Sequence, residues 1–342
     1  MTLEKKLFGR TKQGENVYSY TLKDSGYLVE ILTYGAAIRS LIVPVNGQNR
    51  DVALGFDDVA SYEDRGGYLG AIIGRFANRI GGAQYVLDGK EYFPDKNDDP
   101  NSLHGGFNAF DKQVWDASEQ ADALVLTLRD EDGKHGFPGN LNVEVKYSLQ
   151  NGILAIEYMA QCDQDTPINL TNHNYFNLGG HNHGEITDHT LQIFSDKITP
   201  IDNTLIPTGE LMAVEGTPLD FRVPAKIGDG INSNHQQILL GGGYDHNYVL
   251  SGEPVRSLSP AAVLEFDGLK MQCATTKPGV QFYSGNFIPE MEGKGSALYK
   301  KRSGLCLETQ SWPDSVNKPE FPDCILRKGK IYKHVTQYSF SF

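Results

Sequence analysis

The chain is 342 residues long, 39% hydrophobic, and carries a formal net charge of −12. An acidic balance of that size argues against nucleic acid and anionic membrane surfaces as partners, because both select dense positive charge, and basic residues gather only in short runs such as Lys300-Lys301-Arg302. The first ten residues hold no apolar leader core, and no stretch approaches the roughly eighteen apolar residues of a spanning helix, so a cytoplasmic protein is expected.

In chain order, the first strand signals are Val17 to Leu22, Tyr27 to Leu32 and Ala37 to Val43, rich in Val, Ile, Tyr and Thr and punctuated by Gly26 and Gly35. A short helical turn is predicted near Asp57 to Tyr62. Tyr85 to Phe93 reads as a hairpin, because Asp88-Gly89 suits the positive φ angles of a tight type I′ turn. Asn151-Gly152 repeats the device, joining Leu141–Leu149 to Ile153–Gln161, with Val143, Val145 and Tyr147 on one face and Leu154, Ile156 and Tyr158 alternating on the partner. Further strands are expected at Leu191 to Phe194, His246 to Leu250, Ala262 to Phe266, Val280 to Tyr283, Gly304 to Glu308 and Val335 to Phe342, with one more helical turn near Pro224 to Gly228.

No long segment keeps a 3.6-residue period, and strands do not alternate with long helices. The expectation is therefore an all-β fold, one large antiparallel structure of two packed sheets with functional side chains on loops and strand ends. No linker-like shift or repeat divides it, so residues 1–342 are read as a single domain. Cys162, Cys273, Cys306 and Cys324 stand apart with no CxxC, which fits reduced, packed thiols rather than disulfides or zinc.

Polar runs interrupt this pattern. Asn169 to Leu178 sets His173 and Tyr175 among Asn169, Asn172, Asn174 and Asn177; it either builds a tight loop or lines a cleft that fixes an imidazole and holds hydroxyl groups. Ala71 to Ile80 carries Arg75, Asn78 and Arg79 in apolar surroundings, where an arginine pairs with a carboxylate or reaches a ligand. His104 precedes Gly105-Gly106, which allows close backbone approach. Asp245 and His246 follow a glycine turn, Gln281 lies between apolar residues, and Glu308 follows Leu305, Cys306 and Leu307. Glu308 is either solvated at a strand end or raised in pKa by low-dielectric neighbours.

The runs Gly74-Arg-Phe-Ala-Asn-Arg-Ile80, Asn101-Ser-Leu-His-Gly-Gly106, Asn169-Leu-Thr-Asn-His173 with Tyr175-Phe-Asn-Leu178, Gly243-Tyr-Asp-His-Asn247, Pro278-Gly-Val-Gln-Phe-Tyr283 and Leu307-Glu-Thr-Gln310 resemble the galactose mutarotase (aldose 1-epimerase) family. They occur in the family's order, and lesser similarities such as Asp51-Val-Ala-Leu-Gly-Phe56 extend the match over nearly the whole chain. The resemblance implies a galactose mutarotase-like β-sandwich with a sugar cleft across one sheet, an aldohexose substrate and no cofactor. It implies Glu308 as general base and His173 as general acid, with His104, Asn78, Arg79, Asp245 and Gln281 touching the sugar and Tyr175 in the same segment.

Anomer exchange opens a cyclic hemiacetal: a base takes the C1 hydroxyl proton, an acid protonates the ring oxygen, and the aldehyde rotates before reclosure. The expected arrangement is Glu308 ionised and His173 kept protonated by its neighbours, on either side of one pyranose. His104 and Arg79 are expected to stabilise charge developing on oxygen, and Phe282 and Tyr283 to offer a platform for C–H faces. A glycoside hydrolase or lyase is the enzymatic rival, with Asp245 as second carboxylate; a non-catalytic sugar binder is the other. His181, His183 and His189 lack a carboxylate at ligand spacing, so no metal is expected. A monomer or homodimer is expected.

Overall fold

The computed structural model describes residues 2–120, 122–251 and 257–342. Its framework is a nine-stranded antiparallel sheet whose spatial order runs Asp116–Gln120, Ala123–Asp130, Leu141–Gln150, Ile153–Cys162, Tyr332–Ser341, Leu269–Thr275, Ser259–Phe266, Thr190–Ile193, Ala225–Lys226. The C-terminal strand Tyr332–Ser341 lies at its centre, paired on one side with Ile153–Cys162 and on the other with Leu269–Thr275.

Two five-stranded sheets form the opposing layer. One is the N-terminal meander Thr2–Arg10, Asn16–Asp24, Tyr27–Leu32, Ile38–Val45, Gln48–Asp51. The other runs Met212–Ala213, Lys197–Thr199, Asp245–Val249, Gly279–Tyr283, Cys306–Gln310. Both send alternate side chains into one apolar core shared with the large sheet: Leu22, Ile31 and Leu41 from the first, Tyr248, Val280 and Leu307 from the second, Leu126, Ile156 and Tyr338 opposite. Polar links cross the same interface, since Tyr338 donates from its hydroxyl to the Leu307 carbonyl and Thr309 bonds Thr336 through their hydroxyls. This is the expected all-β sandwich, and the helices are short, Val59–Arg65, Ile227–Gly230 and Gln236–Gly241.

The turn chemistry acts as read. Asp88 and Gly89 take φ of 51° and 79° between Tyr85–Leu87 and Lys90–Tyr92, while Asn151 and Gly152 take 51° and 75° in the longer hairpin. The sequence missed Thr2–Arg10, which is largely exposed and lacks the apolar alternation that marks a strand. The last predicted strand before the C-terminus is shifted: Cys306–Gln310 puts Glu308 mid-strand and buried, not solvated at an end. All four cysteines are free and buried. Among the described residues no helix is long and apolar enough to cross a membrane.

Candidate active site

Three neighbouring strands of the second small sheet present one face to the core and the other to a cavity. Val280, Phe282 and Leu307 point into the core, so by alternation Gln281, Tyr283, Cys306 and Glu308 point away from it. The register aligns Asp245 with Tyr283, Asn247 with Gln281, and Gln281 with Glu308. Above this floor lies a cavity of about 420 Å³ whose walls include His173, Glu308, His104, Asn78, Arg79, Tyr175 and Asp245. A larger cavity of about 520 Å³ between Ile168 and residues 323–335 shares none of these groups.

His173 and Glu308 meet on the cavity floor, Nε2 lying 3.6 Å from Oε1. They are side by side rather than on opposite walls as the sequence reading had them. Glu308 Oε2 is buried without a protein partner. The His173 ring touches Tyr68, His104, Tyr175 and Tyr283, with centroids 5.6, 5.2, 5.0 and 6.4 Å away. Its Nδ1 faces Cys306 Sγ at 3.5 Å. Asn169, Asn172 and Asn177 do not hold the imidazole; they brace backbone, while the buried Asn174 side chain has no protein partner at Oδ1 or Nδ2. Asn169 spans Ala77 and Ser311, Asn172 donates to the Gly70 carbonyl, and Asn177 donates to the Gly184 and Ser303 carbonyls. The segment pairs through Thr171–Asn172 with Ile72–Ile73, which fixes His173 over the floor.

His104 is brought in by the ribbon Arg79–Ile80 with Ser102–Leu103. Just beyond it, Asn78 and His104 clasp each other: the His104 N–H donates to the Asn78 carbonyl at 3.1 Å, and the Asn78 N–H donates to His104 Nδ1 at 3.1 Å. Asn78 and His104 both take left-handed φ, 64° and 53°. A Cβ on Gly105 would lie 2.1 Å from the Gly74 carbonyl oxygen, so glycine is required for this approach.

The two arginines divide between the two readings open in the sequence. Arg75 is fully buried and structural, its Nε and Nη2 on Asp130 Oδ2 at 2.9 and 2.7 Å and its Nη1 on the Pro138 carbonyl at 2.6 Å. Arg79 lines the cavity and is held through Nε by Asp98 at 2.7 Å, leaving its terminal nitrogens available. Gln281 does not line the cavity; it donates to Asp245 Oδ1 at 2.7 Å and accepts from Gln310, so it holds Asp245. Phe282 is a correction: it lies in the core, stacked on Tyr244 at 5.0 Å, while Tyr283 alone of the pair reaches the cavity.

Sequence reasoning missed Tyr68, Asp98, Leu205 and Phe287, which also line the cavity, together with apolar residues such as Leu69, Ile288 and Met291. Two of them carried a faint signal. Asp98 lies in the acidic Asp95 to Pro100 loop, and Tyr68 follows Gly66-Gly67. Tyr68 and Leu205 hold φ of 58° and 64°, which bulky residues seldom adopt.

Burial dominates the electrostatics. Desolvation pushes the Glu308 pKa well above the ordinary carboxylate value; the Asp245 charge adds to this and Arg79 opposes it. Desolvation lowers His173 to about 4, with a contact to its own backbone acting the other way. His104 is pushed well down by burial and then by His173 and Arg79. Asp245 is raised by burial and pulled back by Arg79 and the Gln281 hydrogen bond. The free site therefore favours a neutral acid beside a neutral imidazole, contrary to the expectation that neighbours keep His173 protonated.

Among the described residues, His104, His173 and Glu308 offer donor atoms within 4.8 Å of one another. The donor chemistry does not suit a metal. A ligating histidine donates its far nitrogen to an acceptor, whereas His104 accepts the Asn78 N–H at Nδ1 and so carries its own proton on Nε2. Of the histidines farther along, His181 Nδ1 bonds the Tyr299 hydroxyl, His189 accepts the Leu178 N–H and stacks on Phe266, and His183 packs edge-on against the same Phe266 ring.

The family model described as aldose 1-epimerase matches residues 18–339. The galactose mutarotase of Rattus norvegicus is 41% identical over 344 residues, covering 100% of this chain and 99% of its own. The aldose 1-epimerase of Escherichia coli (strain K12) is 38% identical over 323 residues, 93% of each chain. Among solved structures, galactose 1-epimerase from Lactobacillus acidophilus superposes with a TM-score of 0.87 at 28% identity, covering 99% of this chain and 98% of that one. The chain belongs to the aldose 1-epimerase family.

Proposed function

We propose that this protein interconverts the α and β anomers of an aldohexose such as galactose or glucose, with Glu308 as general base and His173 as general acid. The observation that supports it most directly is the 3.6 Å separation of His173 Nε2 and Glu308 Oε1 on the cavity floor. The two oxygens that exchange protons in ring opening share one carbon, C1. An acid and a base a few ångströms apart therefore suit this chemistry, whereas hydrolysis uses two carboxylates flanking a scissile bond.

Glu308 takes the proton from the C1 hydroxyl as His173 Nε2 gives one to the ring oxygen, and the C1–O5 bond breaks to leave an open-chain aldehyde. Rotation about C1–C2 exposes the other face, and the two protons return as the ring closes. With the ring open the pair is Glu308–COOH and neutral imidazole, the combination that burial favours. The low-dielectric floor thus lowers the open-chain complex relative to the cyclic complex in which the pair is ionised. His104 donates Nε2–H, and Arg79 its free nitrogens, to oxygens gaining charge. Asp245, held by Gln281, accepts a sugar hydroxyl, and Asn78 and Tyr175 complete the wall. This reading takes residues 1–342 as one domain, since the large sheet draws strands from both halves, and takes the free thiols as fitting a cytoplasmic location, with a monomer or homodimer proposed alongside.

Glu308→Gln and His173→Asn are each expected to keep the far-UV circular dichroism of the parent. Each should lose roughly 10²–10⁴-fold of the polarimetric rate with freshly dissolved α-galactose or α-glucose. Parent rates in both variants would remove the acid–base assignment.

A further inference from the structure

His173 and His104 face the same cavity, yet their far nitrogens meet opposite partners. His104 Nδ1 receives the Asn78 N–H, which leaves its proton on Nε2. His173 Nδ1 meets Cys306 Sγ at 3.5 Å, with both residues buried. Cys306 stands two residues before Glu308 on the same strand, so both side chains project from one face. One strand thereby supplies the base and the neighbour of the acid at a fixed spacing.

The reaction decides which way the contact at Nδ1 runs. His173 gives the Nε2 proton to the ring oxygen and must take it back as the ring closes. In the open-chain complex Nε2 therefore holds a lone pair and Nδ1 holds a hydrogen; in the imidazolium both nitrogens do. Nδ1 is a donor throughout turnover, and a buried donor needs an acceptor. A carboxylate or carbonyl in that place would raise the basicity of the ring, whereas a thiol sulfur accepts only weakly.

We propose that Cys306 is a positioning residue, accepting the His173 Nδ1–H on Sγ so that Nε2 is the nitrogen that exchanges protons and the imidazolium stays strongly acidic. The assignment rests on His173 being the general acid. Burial and the charge of Glu308 push the Cys306 thiol well up, so the sulfur stays neutral. The other titratable groups facing His173 are Glu308 beside it, Tyr175 on its own segment, Tyr68 and His104 on loops, and Tyr283 on the adjoining strand. Burial raises Tyr68, Tyr175 and Tyr283 and lowers His104, so near neutrality none of the four carries charge.

Nitrogen-15 spectra of the ring nitrogens in histidine-labelled, ligand-free protein at neutral pH test the tautomers directly. His173 is expected to be protonated at Nδ1 and bare at Nε2, and His104 the reverse. Cys306→Ala should lower kcat by about 10- to 100-fold, by analogy with the loss when the partner orienting a metal-bound histidine is removed, with KM for galactose within about twofold. Cys306→Ser should restore most of kcat, and its stronger acceptor should move the acid limb of the pH–rate profile to higher pH. A wild-type kcat in Cys306→Ala, or a His173 protonated at Nε2, overturns the proposal; the spectrum decides even if the variant misfolds. Inactive Glu308→Gln and His173→Asn beside a wild-type Cys306→Ala would remove the Cys306 assignment alone. Wild-type turnover by those two would remove the reading beneath it.

Discussion

At the scale of single residues, the acid–base assignment proposed above makes the working unit a proton shared between two buried groups. His173 is lowered to about 4 and Glu308 is raised well above its ordinary value. Between those limits the pair holds one proton, carried by either member. As pH falls through about 4 a second proton binds and the base is lost; as pH rises past the elevated Glu308 value the last proton leaves and the acid is lost. The kcat profile should therefore run flat through neutrality and fall on both sides, measured by polarimetry across buffers of constant ionic strength. A midpoint near the free-histidine value of about 6.5 on the acid side would show that His173 titrates as if solvated. The residue types of this pair were legible in the sequence, because a lone carboxylate after an apolar run and a lone imidazole in an Asn-rich run are unusual. Their nearness was not, since residues 173 and 308 meet only where the Thr171–Asn172 ribbon lies against the strand Cys306–Gln310. Nor was the neighbour of Nδ1, as nothing local marks Cys306 apart from any packed thiol.

At the scale of elements, alternation decides which side chains leave the core for the cavity side of the sheet. Gln281 and Tyr283 leave the core while Val280 and Phe282 enter it, so the choice of Phe282 as a platform failed by one residue of register. The hairpins at Asp88-Gly89 and Asn151-Gly152 were readable because positive φ has a strong residue preference. The Gln236–Gly241 helix was not, since six residues are too few to display a period. The wall that carries Asn78 and Arg79 is anchored by Arg75 against Asp130, on an edge-side strand of the large sheet. Arg75→Met leaves the Asp130 carboxylate buried beside apolar atoms. It should lower stability by about 3–5 kcal/mol, read from urea denaturation. Asp130→Asn together with Arg75→Met removes both charges and should recover part of that loss. Gln281→Met keeps the strand but frees Asp245; KM for galactose should rise by about tenfold, the effect of losing one hydrogen bond of roughly 1.4 kcal/mol, while kcat changes less.

At the scale of the whole molecule, the cavity takes side chains from segments spread between Tyr68 and Glu308, and the contacts that aim them cross both layers. Loss of activity and loss of sheet circular dichroism should therefore coincide on a urea titration. Galactose at a hundred times its Kd should stabilise the fold by about 2.7 kcal/mol. Activity that vanished well before the sheet signal would mean that the rim opens as a separate unit. The sandwich as such was foreseeable from short strands and turn signals; the pairing order of nine strands around a central C-terminal one was not, because every long-range partner looks alike to local pattern.

The floor and the rim answer to different constraints. Glu308 and its strand neighbours cannot shift without disturbing the packing beneath them, whereas Tyr68, Asp98, Leu205 and Phe287 sit outside regular strands and helices. On the roles proposed above, a lineage carrying this architecture is free to rewrite which sugar it prefers by editing those outer residues, with the bond-breaking apparatus inherited untouched. Exchanging residues 66–69 or 203–206 between members with different preferences should accordingly transplant selectivity while turnover on the best sugar survives.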